Sequence, residues 1–222
     1  KSIGESAFYL CKSLLKVEIH SNSVIIENSA FRECNLLNEI TLPSSLQSIE
    51  NFTFFNTSLK EVSIPDSVTL IGSYSFSHCN LITNVSIPSS VAKMDSGCFD
   101  LCSSLKEVTI PESVKYVGDK VFELCTSLVK ITFLCSIKTI PSEAFSGCTS
   151  LEKIVFPSSL KEIKEKAFYK CTSLEEIEIP SSVKIIGLEA FMYCTSMKKV
   201  SLPSSLTILQ KSSFKECTSL LE

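Results

Sequence analysis

Hydrophobic residues recur along this chain with a period of 23 residues, and a phenylalanine marks each period. The single departure is a spacing of 22 residues between the third and fourth phenylalanines. The ten are Phe8, Phe31, Phe54, Phe76, Phe99, Phe122, Phe145, Phe168, Phe191 and Phe214. A unit this short cannot bury its own apolar side, so a fixed period of this length is typical of a solenoid. Residues 1–222 are therefore expected to form a single solenoid of about ten repeats that begins and ends inside a repeat.

One segment of each period has the alternation of a β-strand. Ile177 and Ile179 are expected to face inward, whereas Glu176 and Glu178 face outward. Pro180 follows directly and has no N–H to give to a ladder, so the strand is expected to end there. Most other periods repeat this order of alternating aliphatic residues, proline and serine. The pattern thus predicts one short parallel strand in each turn.

A second segment of each period contains the phenylalanine itself. Ala190, Phe191 and Cys194 are apolar at positions i, i+1 and i+4. This spacing predicts one helical turn with an inward face. The expected fold class is therefore an α/β repeat, in which strands, turns and short helical segments follow one another.

The unit at residues 179–200, IPSSVKIIGLEAFMYCTSMKKV, resembles the BspA-type leucine-rich repeat. That family is known from surface proteins of anaerobic bacteria and parasitic protozoa. The resemblance implies a right-handed leucine-rich-repeat solenoid with parallel strands on its concave face. It also implies adhesion to host matrix proteins or cells, without enzymatic activity. The chain departs from commoner leucine-rich repeats because serine, as at Ser182, stands near the place of their asparagine.

Nine of the eleven cysteines stand three residues after a phenylalanine. The short period at Phe54–Leu59 has no cysteine, and we interpret its lost residue as that cysteine. Equivalent residues of adjacent strands lie about 4.8 Å apart, which is within disulfide range. Free buried thiols are favoured over a disulfide ladder, because side chains that point the same way suit a disulfide poorly and cysteine packs well as a small hydrophobe. A linear column also does not converge on a zinc ion.

Two cysteines lie outside this column. Cys98 takes the small-residue position that Ala144 holds in a later period, so it is expected to lie in the core. Cys135 belongs to Phe133-Leu134-Cys135, which replaces the usual Ile-Pro-Ser. We therefore expect Cys135 to be the most exposed thiol.

Composition and motifs narrow the classes of function. The chain has 21 basic and 24 acidic residues, and its net charge of −3 argues against nucleic acid as a partner. No apolar run approaches the roughly 18 residues of a membrane helix, so direct membrane insertion is not expected. The two histidines, His20 and His78, occupy different phases of the repeat. Phosphate loops and nucleophile elbows are absent from the sequence, so no enzyme activity, cofactor or metal is expected.

The outward positions of the predicted strands are the candidate protein-binding surface, because solenoids commonly bind along an extended concave face. Glutamate dominates one column in the first half of the chain, lysine appears later, and serine and threonine line much of the second column. Aromatic anchors are lacking there. The candidate positions are Lys16, Glu18, Glu39, Thr41, Glu61, Ser63, Asn84, Ser86, Glu107, Thr109, Lys130, Thr132, Lys153, Val155, Glu176, Glu178, Lys199 and Ser201. A solvated face without a ligand explains the same residue types.

Two functional hypotheses follow. The first, implied by the resemblance, is a cell-surface or secreted adhesion module with a protein ligand. The second is an intracellular scaffold that docks a protein partner. The sequence also leads us to expect that the apolar ends of the stack favour end-to-end self-association.

Overall fold

A computed structural model describes residues 1–22 and 24–221, and in that part of the chain it contains seventeen short strands, numbered in chain order. Seven belong to a first column and correspond to the strands that the alternation predicts. They are β2 (Lys16–Glu18), β4 (Glu39–Thr41), β8 (Glu107–Ile110), β10 (Lys130–Phe133), β12 (Lys153–Val155), β14 (Glu176–Glu178) and β16 (Lys199–Ser201). Isolated parallel bridges, Ser63 to Ser86 and Asn84 to Glu107, continue this column through the third and fourth coils. The parallel-strand solenoid is therefore confirmed.

The remaining ten strands form a second column that the alternation did not predict. Each has two residues, and the ten are β1 (Ser2–Ile3), β3 (Ile25–Ile26), β5 (Ser48–Ile49), β6 (Leu70–Ile71), β7 (Lys93–Met94), β9 (Tyr116–Val117), β11 (Thr139–Ile140), β13 (Glu162–Ile163), β15 (Ile185–Ile186) and β17 (Ile208–Leu209). They pair in parallel within three sheets, β1–β3, β5–β6–β7–β9 and β11–β13–β15–β17, as Ile185 and Ile186 do with Ile208 and Leu209. Each coil that carries both columns thus presents two strand faces to solvent.

The predicted helical turn around each phenylalanine is wrong. Residues 1–22 and 24–221 contain no helix, and this segment is a run of turns. Glu189 and Tyr193 have φ angles of 54° and 64°, which no right-handed helix contains. The N–H of Phe191 donates to Ser213 of the next coil at 2.8 Å, rather than to the residue four positions back. Hydrogen bonds between coils therefore replace the helical ones.

The phenylalanines form one continuous stack through the core. Neighbouring rings lie with centroids 5.1–5.8 Å apart and nearly parallel planes. The eight from Phe31 to Phe191 are fully buried, whereas Phe8 is 37% exposed. Offset stacking of this kind adds about 0.5–1.5 kcal/mol per pair beyond the burial of the rings. We call this set of ten residues the phenylalanine row.

The cysteine column is a ladder of free thiols, as the sequence pattern favoured. Each internal thiol donates to the phenylalanine carbonyl of the preceding coil, as Cys148 does to Phe122 at 3.1 Å. Seven further cysteines make the same bond at 3.0–3.2 Å: Cys34, Cys79, Cys102, Cys125, Cys171, Cys194 and Cys217. Burial raises the pKa of Cys79 to about 11, so this thiol stays protonated and remains a donor.

The short coil has lost a different residue from the one that the sequence suggested. Thr57 occupies the position of the missing cysteine, is 4% exposed and lies 3.3 Å from the sulfur of Cys79. The Ser58 hydroxyl donates to the Asn35 carbonyl, just as Thr172 donates to Thr149 in the same position of a regular coil. The deletion therefore falls between Ser58 and Leu59, and threonine simply replaces cysteine.

The expectation of an exposed Cys135 is also wrong, since this residue is 2% exposed. Leu134 stands where other coils have proline, and its N–H donates to Ile110 at 2.9 Å, a bond that proline cannot make. The strand alternation therefore continues past Phe133, so Leu134 points outward at 55% exposure and Cys135 points inward. Cys98 lies in the core at 0% exposure, as predicted.

Serine takes over the role of the absent asparagine. Ser182 is the second residue after the proline of its coil. Its hydroxyl donates to the backbone carbonyl of Leu160 in the preceding coil at 2.5 Å. Equivalent bonds of 2.6–3.0 Å are made by Ser67, Ser90, Ser113, Ser159 and Ser205. A short hydroxyl thus satisfies the backbone carbonyl at the turn between the two strand columns.

Candidate binding surface

The outward residues of the first strand column form a continuous polar face, which we call the strand strip. It comprises the candidate positions predicted from the sequence: Lys16, Glu18, Glu39, Thr41, Glu61, Ser63, Asn84, Ser86, Glu107, Thr109, Lys130, Thr132, Lys153, Val155, Glu176, Glu178, Lys199 and Ser201. All are exposed except Thr132, which is half-buried. Residues between them, such as Val108 and Ile177, are buried. That the strip binds a ligand stays a prediction.

Charges on the strip are ordered by strand register. Lys16 stands opposite Glu39, and its ammonium group lies 2.9 Å from Glu18 and 3.3 Å from Glu39. The hydrogen bond with Glu18, followed by that with Glu39, raises the pKa of Lys16. Farther along, Lys130 stands directly opposite Lys153, so two like charges adjoin. The strip therefore carries charges of both signs at one end, whereas two lysines adjoin between its sixth and seventh coils.

The strip contains two shallow grooves. The larger, of about 1240 Å³, lies between β12 and β14 and is lined by Lys153, Glu176, Glu178 and the two-thirds exposed Val155. The smaller, of about 520 Å³, lies between β4 and the third coil. Both open to solvent along the strip.

Both grooves coincide with interruptions of the strand ladder. Within residues 1–22 and 24–221, sheet β8–β10–β12 ends before sheet β14–β16 begins, and β4 does not pair with the third coil. The second interruption is next to the one-residue deletion after Ser58. At the first, Phe156 fills the inward position that Ile179 has one coil later, and its ring packs edge-on against Phe168 at 5.8 Å. Phe133 holds the same inward position one coil earlier, where the ladder is unbroken, so the phenylalanine alone does not explain the interruption.

Aromatic side chains gather elsewhere, in a cluster that sequence reasoning missed. The only arginine, Arg32, lies 5.0 Å from the ring centre of Phe52, 5.1 Å from Phe55 and 5.7 Å from Tyr9. Phe52 stacks on Tyr74 at 5.3 Å. A signal existed: Tyr9, Arg32 and Phe55 each directly follow the phenylalanine of three successive periods. This lateral cluster supplies the aromatic and arginine residues that the strip lacks.

One buried carboxylate lies on the same lateral side. Asp100 is 8% exposed, and its Oδ2 accepts a hydrogen bond from Ser77 at 3.3 Å. Burial, and then the negative charge of Glu123, raise the pKa of Asp100 to about 6. This group costs free energy when charged. Asp100 is therefore a local weakness of the stack.

The described residues offer little else for chemistry. Across residues 1–22 and 24–221, no three histidine, cysteine or acidic side chains are grouped so that they could hold a metal ion. His20 lies 3.6 Å from Glu18 on the surface, and His78 packs 5.0 Å from the ring of Phe55. The same part of the chain contains no helix of the length and apolarity needed to cross a bilayer.

Stacked coils with a parallel strand ladder define a solenoid, the class to which leucine-rich-repeat proteins belong. The sequence matches the BspA type leucine-rich repeat region, with six copies, over residues 1–129 and 116–222. The chain belongs to this family, as its repeat unit predicts. A search of curated proteins finds no match.

Solved structures with the same fold come from bacteria. A leucine-rich cell surface protein of Faecalibacterium prausnitzii is 30% identical, with a TM-score of 0.61 over 94% of this chain and 63% of its own. A leucine-rich repeat protein of Bacteroides ovatus is 24% identical, with a TM-score of 0.51 over 99% of this chain and 80% of its own. The pneumococcal vaccine antigen PcpA is 22% identical, with a TM-score of 0.62 over 86% and 51%. The chain thus spans less than two thirds of the cell surface protein that it matches.

Proposed function

We propose that this chain is a non-catalytic binding scaffold of a cell surface, which adheres to host or matrix proteins through the strand strip. The observation that carries the proposal is the strip itself. It is a row of mostly exposed and polar side chains, held in register within each sheet of the first strand column, with two grooves along it. Ligands commonly bind the extended strand face of solenoids. The similarity to a cell surface protein supports the location.

The chemistry of the strip points to weak contacts that are repeated many times. Exposed ion pairs such as Lys16 with Glu39 are weak, because solvent screens both charges. Large aromatic anchors, which usually dominate binding energy, are not among its residues. Strength would therefore come from several strips that engage one surface together, since linked contacts raise the effective concentration of each other.

The test measures adhesion of the purified chain, displayed in many copies on beads, to a panel of matrix proteins and to epithelial cells. The double variant Glu61→Lys with Glu107→Lys reverses two exposed charges on the strip. We expect bead adhesion to at least one surface, and a loss of about tenfold or more in the double variant, because electrostatic complementarity sets encounter and register.

A matched control comes from the same two coils. The double variant Asp66→Lys with Glu112→Lys makes the same charge change at exposed residues that directly follow a proline, off the strip. It should adhere like the unmodified chain. Equal adhesion of both double variants would count against the strip, and no adhesion to any surface would count against the adhesion proposal as a whole.

A further inference from the structure

Four successive coils place a lysine at one equivalent position of the second strand column. Lys115, Lys138, Lys161 and Lys184 each directly precede a two-residue strand and stand seven residues before the phenylalanine. All four side chains are exposed. The flanking coils carry the uncharged Ala92 and Thr207 at this position. We call these four residues the lysine row.

Backbone hydrogen bonds fix the spacing of three of the four lysines. The N–H of Lys161 donates to the carbonyl of Lys138 at 2.7 Å, and the N–H of Lys184 donates to Lys161 at 2.8 Å. Residues joined in this way on neighbouring parallel strands lie about 4.8 Å apart, so the three lysines from Lys138 to Lys184 span on the order of 10 Å. Lys115 belongs to the adjoining coil, whose strand β9 does not pair with β11. The ammonium groups therefore form a single file rather than a broad patch.

Few acidic groups neutralise the row. The ion pairs within residues 1–22 and 24–221 involve other lysines: Lys16, Lys93, Lys120, Lys166 and Lys198. The next residues along the chain are Tyr116, Thr139, Glu162 and Ile185, of which one is charged. The glutamates of the strand strip lie on the other strand column. An acidic protein thus carries a local line of positive charge that attracts anions.

We propose that the lysine row binds a linear sulfated polysaccharide. Such a polymer repeats anionic groups along a narrow, flexible chain, and four ammonium groups on successive coils can contact several of them at once. Lysine suits this role because it is a compact point charge that adapts to sulfate without a fixed geometry. Nucleic acid fits less well, because successive bases need several aromatic rings to stack on, and the row has one aromatic neighbour, the half-exposed Tyr116, with the Lys93 ammonium group 5.5 Å from its ring centre. This inference does not depend on the strand strip.

The experiment uses heparin as the probe. Binding of the unmodified chain is measured at several NaCl concentrations and compared with the variant Lys115→Gln, Lys138→Gln, Lys161→Gln and Lys184→Gln. Removal of each ammonium group that pairs with a sulfate should lower the slope of log affinity against log salt by roughly 0.7–0.9, so the slope should fall by roughly 3. Affinity at low salt should fall at least tenfold. Circular dichroism and the melting temperature should stay the same, since all four side chains are exposed.

The matched control removes the same charge from exposed lysines outside the row. It is the variant Lys12→Gln, Lys60→Gln, Lys106→Gln and Lys211→Gln. It should bind heparin within about twofold of the unmodified chain. Equal loss in both variants would mean that net charge alone attracts heparin, and this outcome would overturn the proposal. So would the absence of binding at low salt, or single-stranded DNA that binds as tightly with the same dependence on the row.

Discussion

The phenylalanine row and the strand strip run along the same coils, but they differ in how strictly the same residue recurs from one coil to the next. Every period places the same side chain in the row, and its eight internal members are 0–1% exposed. The strip changes sign and character from coil to coil, from Glu107 to Lys130 to Val155. Constant positions therefore show what holds the stack together, and variable positions show where its coils acquire individual contacts.

The largest effect should come from the removal of one ring of the phenylalanine row. Phe145→Ala should lower the free energy of unfolding by about 3–5 kcal/mol, because it deletes a buried ring and leaves a cavity between two stacked neighbours. Phe8→Ala is the control: its ring is 37% exposed and stacks on one side only, so the loss should be less than half as large. Urea denaturation measures both. Equal losses of the free energy of unfolding would show that stacking within the phenylalanine row is not what stabilises the coils.

A smaller effect concerns the buried carboxylate beside the row. The folded pKa of Asp100, about 6, lies above its ordinary value of 3.8, so the folded state binds the proton more tightly than the unfolded state. Stability from this group is complete below about pH 4 and is lost as the pH rises through about 6. Asp100→Asn should therefore stabilise the chain by about 1–2 kcal/mol at pH 8 and flatten this pH dependence.

The control for this effect is Asp66→Asn, since Asp66 is exposed. It should leave the pH profile of thermal unfolding unchanged. A profile of the unmodified chain that rises between pH 4 and 6, or an Asp100→Asn variant that is less stable at pH 8, would contradict the prediction.

The smallest effect changes no stability and concerns access to the thiols. Cys11 is exposed, and the other ten cysteines are buried. Titration of the folded chain with a thiol reagent should therefore label about one cysteine quickly, because buried protonated thiols react slowly. Cys11→Ser should abolish the fast phase, and denaturant should release all eleven thiols. Fast labelling of Cys135 would show that its inward orientation is wrong.

The strands of the first column were predictable because their alternation is visible in single residues. Glu176, Ile177 and Glu178 follow the exposed and buried order that the sequence implies. The second column was not predictable, since a strand of two residues such as β15 is too short to show a period. Its hydrogen bonds come from neighbouring coils, and these bonds appear only when the coils are stacked.

The prediction of a helical turn was wrong for a related reason. Positive φ angles usually occur at glycine or asparagine, yet here Glu189 and Tyr193 adopt them. Local preference is overridden by the bonds from each coil to the next. The deletion after Ser58 and the inward Cys135 were also placed wrongly, because the choice between adjacent residues depends on which N–H or hydroxyl reaches the next coil.

The lateral cluster and the lysine row were both visible in the sequence only after alignment of equivalent positions. Tyr9, Arg32 and Phe55 share one position, and the four lysines share another. Neither set belongs to the outward positions of the predicted strands. In a solenoid, each column of equivalent surface positions is a separate candidate site, because stacking brings its members within about 5 Å of one another.

The hydrogen bonds of the turn segment have a consequence for how such a chain can grow. The amides of Phe122, Phe145 and Phe168 all donate to the following coil, at 2.7–3.0 Å, so in this segment each of these coils donates on one side and accepts on the other. A further copy of the unit can therefore make the same bonds in this segment. Tandem duplication of a 23-residue gene segment would lengthen the molecule at once, and selection could then change its surface columns one coil at a time.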